Sequence, residues 1–329
     1  MVVKHWKPVF TLEADGADIT AAIKRGLKSL TLTDEAGVSS DSLQITLADY
    51  GIALPRTGAE LKLWLGYEGA ARFMGLFVVD EVAVSGPPEV MTIKSLAAPF
   101  EKSASMRALQ DQKTRSWEPC TIGTLVKTIA REHGLTAAVS PALADITLDH
   151  IDQTNESDMN LLTRLARDMD AIAKAGGGRL VFVPQGEGNT ASGKSLPKVS
   201  LSRVELATWR ASISNRANFG SVVAVWRDKD AAEDKDVTVG DGSPTYRLRH
   251  VYPSEDAATR AARGRLQGFT RGQSTLSITL AGGRTDIVAE SRLNVSGVRT
   301  GINGEWSVKR VTHTLSDKLT TAVEAEVPN

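Results

Sequence analysis

The chain has 329 residues, with 39 Lys+Arg against 39 Asp+Glu, five His and a single Cys. That length suits two or three domains, and 41% apolar with 24% charged residues is a globular composition. A formal net charge of zero excludes a protein that coats nucleic acid or an anionic membrane, and the lone Cys120 excludes an intrachain disulfide.

Met1 to Pro8 contain no apolar core of signal-peptide length, and no later run approaches the roughly 20 apolar residues of a membrane span. A soluble protein made in the cytosol, with no membrane anchor, is expected. The first hundred residues predict strands at Val9–Leu12, Leu27–Thr33, Ser42–Leu47, Glu60–Leu65, Arg72–Val79 and Val90–Lys94. In Leu43-Gln-Ile-Thr-Leu47 the apolar positions fall two apart, giving one buried and one wet face. Asp15-Gly16, Glu35-Ala-Gly37, Pro55, Glu68-Gly69 and Gly86-Pro-Pro88 separate the runs as turns. Short strands at near-regular spacing predict a barrel or sandwich.

The pattern changes near Trp117-Glu-Pro119. Ile122, Leu125, Val126, Ile129 and Ala130 follow helical spacing, with Gly134 as a stop. A second helix is expected from the N-cap Ser157 and Asp158 through Leu162, Leu165, Ala166, Met169 and Ala173, ending at Gly176-Gly-Gly178. Arg179–Val183 then predicts a strand, which completes a small α/β unit.

Strands resume at Lys198–Leu201, Ser221–Trp226, Thr245–Val251, Ser274–Leu280, Arg292–Val295 and Trp306–Leu315, interrupted by one helix opening at Ser254-Glu255-Asp256. The expected fold is mainly β with an α+β insert. Residues 1–112 read as a first β domain, barrel or sandwich, 113–190 as an α/β insert with two helices, and 191–329 as a second such β domain with one helix.

Gly188-Asn-Thr-Ala-Ser-Gly193-Lys194-Ser195 fits the P-loop pattern at every position. A P-loop needs a helix after it, whereas Leu196-Pro197-Lys-Val-Ser-Leu201 reads as a strand, so Gly188, Gly193, Lys194 and Ser195 are read as a decoy and no cofactor is expected. His5, His133, His150, His250 and His313 are scattered, and Asp145, Asp149 and Asp152 lack the glycine and terminal glutamate of a calcium loop; no metal site is expected. Cys120 lies at a helix start, where a thiol pKa can fall, but a lone cysteine there is usually packing. Glu156, Asp158, Asp168 and Asp170 read as cap and solvated face. Arg203, Arg210, Arg216 and Arg227 with Trp209 and Trp226 could stack on nucleic acid, but Asp228, Asp230, Glu233 and Asp234 cancel that charge. No self-sufficient active site and no catalytic residues emerge from these motifs.

Three stretches carry a resemblance: Leu54-Pro-Arg-Thr-Gly58 through Gly66-Tyr67 with Met74-Gly-Leu-Phe-Val-Val-Asp80; Asp152-Gln-Thr-Asn-Glu-Ser-Asp158 through Ala166; and Gly304-Glu-Trp306 through Leu315 with Leu319-Thr-Thr321. In order across nearly the whole chain, they resemble the late control gene D protein family of contractile-tail baseplate hubs. They are also similar to the N-terminal hub part of the type VI valine-glycine repeat spike proteins. Asp317-Lys318 departs from the pattern, where a glycine is expected.

The resemblance implies a structural protein rather than an enzyme: a trimeric hub in which each subunit gives two related tube-type β-barrels, so that three subunits form a ring of six. That ring would join the tail tube to a spike supplied by a separate chain, in the tail baseplate of a virion or tailocin assembled in the bacterial cytoplasm. The α/β unit would then lie outside the ring, in reach of baseplate wedge or tape measure proteins or a glycan. No specific nucleic-acid binding is implied.

Overall fold

The computed structural model describes residues 7–37, 40–48, 51, 53–97, 108–176, 178–186, 196, 198–213 and 219–328. Alternation sets the strands. Leu43, Ile45 and Leu47 are fully buried in Ser42–Ala48 while Gln44 faces out, and Leu61, Leu63 and Leu65 are buried in Glu60–Tyr67. Each such side chain contributes about 1.5–3 kcal/mol on burial. The first six long strands lie side by side in the order Leu27–Glu35, Ser42–Ala48, Val90–Ala97, Arg72–Ser85, Glu60–Tyr67, Pro8–Ala14, every pair antiparallel. Their inward residues share one core with Leu12, Leu30, Phe77 and Met91, so the sheet curls on itself. Helix Thr20–Gly26 links the two outermost strands and buries Ile23 in that core.

Six later strands repeat the plan in the order Leu206–Ile213, Ser274–Leu280, Leu319–Glu326, Gly304–Leu315, Arg292–Ser296, Lys198–Ser202. Ranked along the chain, both sets run second, third, sixth, fifth, fourth, first. Their registers agree as well. The second strand skips one residue against the third, Lys28 in one module and Ala207 in the other. The fifth skips one against the sixth, Asp80 and Lys309 respectively. A glycine holds the same register position in both fifth strands: Gly75 opposite Leu63 at φ +143° and Gly304 opposite Val295 at φ +132°. The modules differ where the first strand meets the fourth, which is antiparallel in one and parallel in the other. The fold is therefore mainly β, with two related β modules, as expected.

Both modules belong to one sheet because Gly304–Leu315 changes neighbour partway. Gly304–Ser307 pairs with Arg292–Val295; beyond Lys309, Arg310–Leu315 pairs antiparallel with Leu30–Glu35. Leu30, Leu32, Val311, His313 and Leu315 are buried along this seam. Arg310 Nε donates to Glu35 at 2.6 Å, and the Ala289 N–H donates to Asp34 at 2.8 Å. Burial, reinforced by the nearby Asp41 charge, pushes the Asp34 pKa up to about 6.

Two smaller units interrupt the plan. In the first, helix Ile122–Glu132 is capped by Thr121, whose Oγ1 accepts from the Thr124 N–H at 3.2 Å. Ile122, Leu125, Val126 and Ile129 share a core with Leu161, Leu162 and Leu165 of helix Asp158–Asp168 and with Phe182. That second helix, expected to run through Ala173, stops at Asp168. Asp170 takes φ +48°, which ends the helical hydrogen bonding, and strand Ala171–Gly176 begins at once. In the second unit, Ser221–Asp228, Glu233–Gly240 and Thr245–Tyr252 form their own three-stranded sheet, covered by Ala258, Ala261 and Ala262 of helix Glu255–Arg271. A Cβ on Gly264 would lie 3.0 Å from the Asp170 Cβ, so a glycine lets this helix sit close on the first unit. Arg271, buried in the same helix, donates to Asp170 at 2.6 Å and lies 3.5 Å from Glu326. Lys174 donates to Asp41 at 2.5 Å and to the Glu35 carbonyl at 2.9 Å, anchoring the first unit beside the seam.

His313 sits in the seam with Nδ1 2.9 Å from Thr321 Oγ1, and burial holds its pKa down at about 4. An unfolded histidine titrates near 6.5, so the folded chain is expected to lose roughly 3 kcal/mol through this group as pH falls from about 6.5 to 4. Thermal melts across that range should show a smaller drop for His313→Gln, whose side chain does not titrate.

Candidate assembly edges

Outside the seam, each module leaves part of a strand with one neighbour. Arg72–Ser85 is 14 residues long, but Glu60–Leu65 pairs with it only over Arg72–Val78. Glu81–Ser85 therefore has Val90–Lys94 beside it and, among the described residues, nothing on its other side. Among the described residues, Leu206–Ile213 likewise pairs only with Ser274–Leu280. Val84 is 56% exposed and Ile213 is 70% exposed on these edges. Open rows of N–H and C=O groups flanked by apolar side chains are templates for another strand.

Among the described residues, those singled out by motif are spread over several separate elements. Gly188, Gly193, Lys194 and Ser195 lie outside the described residues, as do His5 and Arg216, while Lys198–Ser202 is a strand. Cys120 packs at the margin of the first unit's core, and burial pushes its thiol pKa up, opposite to the lowering that a helix start can give. Arg203 donates to the Leu206 carbonyl at 3.0 Å, Arg210 lies on the free edge, and Arg227 pairs with Asp234 at 3.0 Å in the separate sheet. Asp152 accepts from Ser116 at 2.7 Å and contacts His150 at 3.0 Å.

Asp158 requires a correction: it is wholly buried instead of lying on a solvated face. Strand Gln112–Trp117 pairs with Ile151–Ser157 and sets Lys113 and Arg115, two residues apart, on one face above it. Lys113 Nζ donates to Asp158 Oδ2 at 2.6 Å, Arg115 to Oδ1 at 2.7 Å and Gln153 to Oδ1 at 2.8 Å, while His133 Nε2 lies 2.7 Å from Oδ2. Burial raises the Asp158 pKa, but the hydrogen bonds from Lys113, Gln153 and His133 and the Arg115 charge outweigh it and hold the carboxyl at about 2. Arg115 also bridges to Glu132 at 2.8 Å and stacks 4.2 Å from the Trp117 ring centre. Glu132, His133 and Asp158 bring three metal-ligand atoms within 4.8 Å of one another. Lys113 and Arg115 already neutralise both carboxylates, so the cluster reads as a buried structural charge network. The sequence signal for it is faint: alternate cations on a strand, far in sequence from the acid they serve.

A cavity of about 350 Å³ lies between the two smaller units, walled by Asp149, His150, Asp152, Arg164, Asp168, Arg227, His250, Tyr252 and Arg260. Burial, then the Asp168 charge, raises the Tyr252 pKa, and Tyr252 Oη donates to Asp168 at 3.4 Å. Such a phenol stays protonated and serves as a donor. Among the described residues no helix is long and apolar enough to cross a membrane.

The sequence pattern described as phage tail baseplate hub (GPD) matches residues 102–319. A probable baseplate hub protein of Escherichia phage P2 is 34% identical over 97% of this chain and 93% of its own length. Among solved structures, the 43 kDa tail protein of prophage MuSo2 from Shewanella oneidensis superposes with a TM-score of 0.72 at 15% identity, covering 98% of this chain and 99% of that one. An E. coli component of the type VI secretion system superposes with a TM-score of 0.58 at 12% identity, over 92% of this chain and 74% of that one.

Removing the buried carboxylate tests the charge network. Asp158→Ala leaves Lys113 and Arg115 with Glu132 alone and takes the buried carboxylate from Gln153 and His133, and is expected to cost about 3 kcal/mol at neutral pH. Because the folded pKa lies below that of an unfolded aspartate, the penalty shrinks as pH falls from about 4 toward 2. Urea unfolding at pH 7 and pH 3 measures both.

Proposed function

The chain belongs to the phage tail baseplate hub family, whose members are structural components of the virion tail, and we propose that three copies of it close into a ring joining the tail tube to the central spike. The observation that carries this reading is the internal repeat: one chain supplies two β modules with the same strand order, register and skipped residues. Three such chains present six similar modules, which suits contact with a sixfold tube on one face. A chemically unique neighbour, the spike, would sit on the other. Head-to-tail contacts between copies close into a ring when the rotation per copy permits it.

The work done is geometric and mechanical. No bond is made or broken, no cofactor is used, and the Gly188–Ser195 loop has no nucleotide-binding role. The two smaller units lie outside the ring, where the tape measure or baseplate wedge proteins can reach them, and assembly takes place in the host cytoplasm. Zero net charge suits a conduit that lets DNA pass without gripping it. The fold shared with the type VI component supports a second setting for the same design, the hub of another contractile injection system.

Sedimentation equilibrium of the purified chain is expected to give three times the 35.2 kDa chain mass at micromolar concentration. A species that remains at one chain mass up to the highest soluble concentration would overturn the ring.

A further inference from the structure

The internal seam is a template for a second one. Because the two modules share register and skipped residues, Leu27–Asp34 corresponds position by position to Leu206–Ile213, and Arg310–Thr314 corresponds to Glu81–Ser85. The first correspondence joins the second strands of the two modules, and the other joins their fifth strands. Within the chain, the second strand of module one is zipped to the fifth strand of module two. The two segments left over, Leu206–Ile213 and Glu81–Ser85, are the same pair of elements with the modules exchanged, and both carry an open edge.

Burial follows the same logic. Leu32, Val311 and His313 are buried in the internal seam, and Thr31, Thr33, Asp34, Thr312 and Thr314 are half-buried. Their counterparts all move toward solvent: Ala211 and Val82 are half-buried, while Val84, Arg210, Ser212, Ile213, Ala83 and Ser85 are exposed. A missing neighbour strand has this effect.

We propose that, in the ring, Leu206–Ile213 of one copy pairs antiparallel with Glu81–Ser85 of the next, in the register of the internal seam. Thr31 opposite Thr314, Leu32 opposite His313, Thr33 opposite Thr312 and Asp34 opposite Val311 translate into Arg210 opposite Ser85, Ala211 opposite Val84, Ser212 opposite Ala83 and Ile213 opposite Val82. The inference rests on the ring reading and names its joint. Each copy offers one of each edge, so the contact is head-to-tail and a closed ring covers both of these edges in every copy.

Cysteine pairs test it on the full chain with Cys120→Ser. Neighbouring antiparallel pairs alternate between wide and close spacing, so one of Ala83→Cys with Ser212→Cys and Val84→Cys with Ala211→Cys places its Cβ atoms within disulfide reach. Mild oxidation is expected to link one of these pairs into a covalent trimer on a non-reducing denaturing gel. Single-cysteine variants and the out-of-register pair Ala83→Cys with Thr208→Cys should stay at one chain mass. Val84→Asp should leave the thermal midpoint of the dilute, dissociated chain unchanged and weaken trimer formation by about tenfold or more, a loss of 1.4 kcal/mol per tenfold. A native trimer in which neither in-register pair cross-links would overturn this joint and leave the ring standing. A chain that never trimerises overturns the ring itself, and a cross-linked ladder beyond three supports the strand pairing but overturns threefold closure.

Discussion

Strand Gly304–Leu315 spends its first residues on the second module and its last six on the first, and the exchange of neighbours falls at one skipped residue, Lys309. An extra residue on one strand bends and twists it locally, so the strand can leave one curled sheet and enter the next without breaking its ladder with Leu319–Glu326. The Arg310–Glu35 hydrogen bond on this seam joins residues 275 positions apart. Contacts of such separation carry a large loop-closure cost, which the burial of Leu30, Leu32, Val311 and Leu315 must offset. Until the C-terminal hairpin exists, the Leu27–Glu35 edge lies open. The order of synthesis therefore leaves the seam for last.

Around that shared sheet, the smaller units are held by charge as much as by apolar packing. Arg271 reaches an acid in the first unit and another on the last strand, while Lys174 reaches both a side chain and a carbonyl at the seam. Asp158 organises two cations, a glutamine and a histidine inside the first unit. Buried charges are costly unless paired and hydrogen-bonded, and each of these is. Such pairs contribute orientation: one wrong rotation of a unit would leave an ion without its partner. A hub that must hold its attachments in fixed directions gains from ties of that kind.

The duplicated module gives one polypeptide two near-copies of the same sheet plan. Two modules with matching registers behave as near-equivalents on one face, while their different insertions, a helix in one and a whole α/β unit in the other, keep them distinct elsewhere. Near-equivalence also gives each module the same two joining elements. One pairing is satisfied inside the chain; the other pair of elements stays open.

Local pattern made much of the fold legible. Period-two runs such as Leu43-Gln-Ile-Thr-Leu47 became strands, and the Ile122–Ala130 spacing became a helix, because side-chain alternation and helical spacing are properties of a short segment. The stretches that carried the family resemblance span all the main parts of the chain. What needed the tertiary structure was everything set by distant partners. Ser221–Tyr252 read like any half-buried strands, and alternation cannot say which sheet they join. Asp158 read as an exposed cap because the cations that bury it stand 43 and 45 residues away. Asp170 ended a helix that apolar spacing would have continued, since a left-handed residue is fixed by its surroundings. Most of all, matching skipped residues and a strand with two partners leave no mark on local hydropathy: register is a relation between strands, and only the folded sheet brings those strands together.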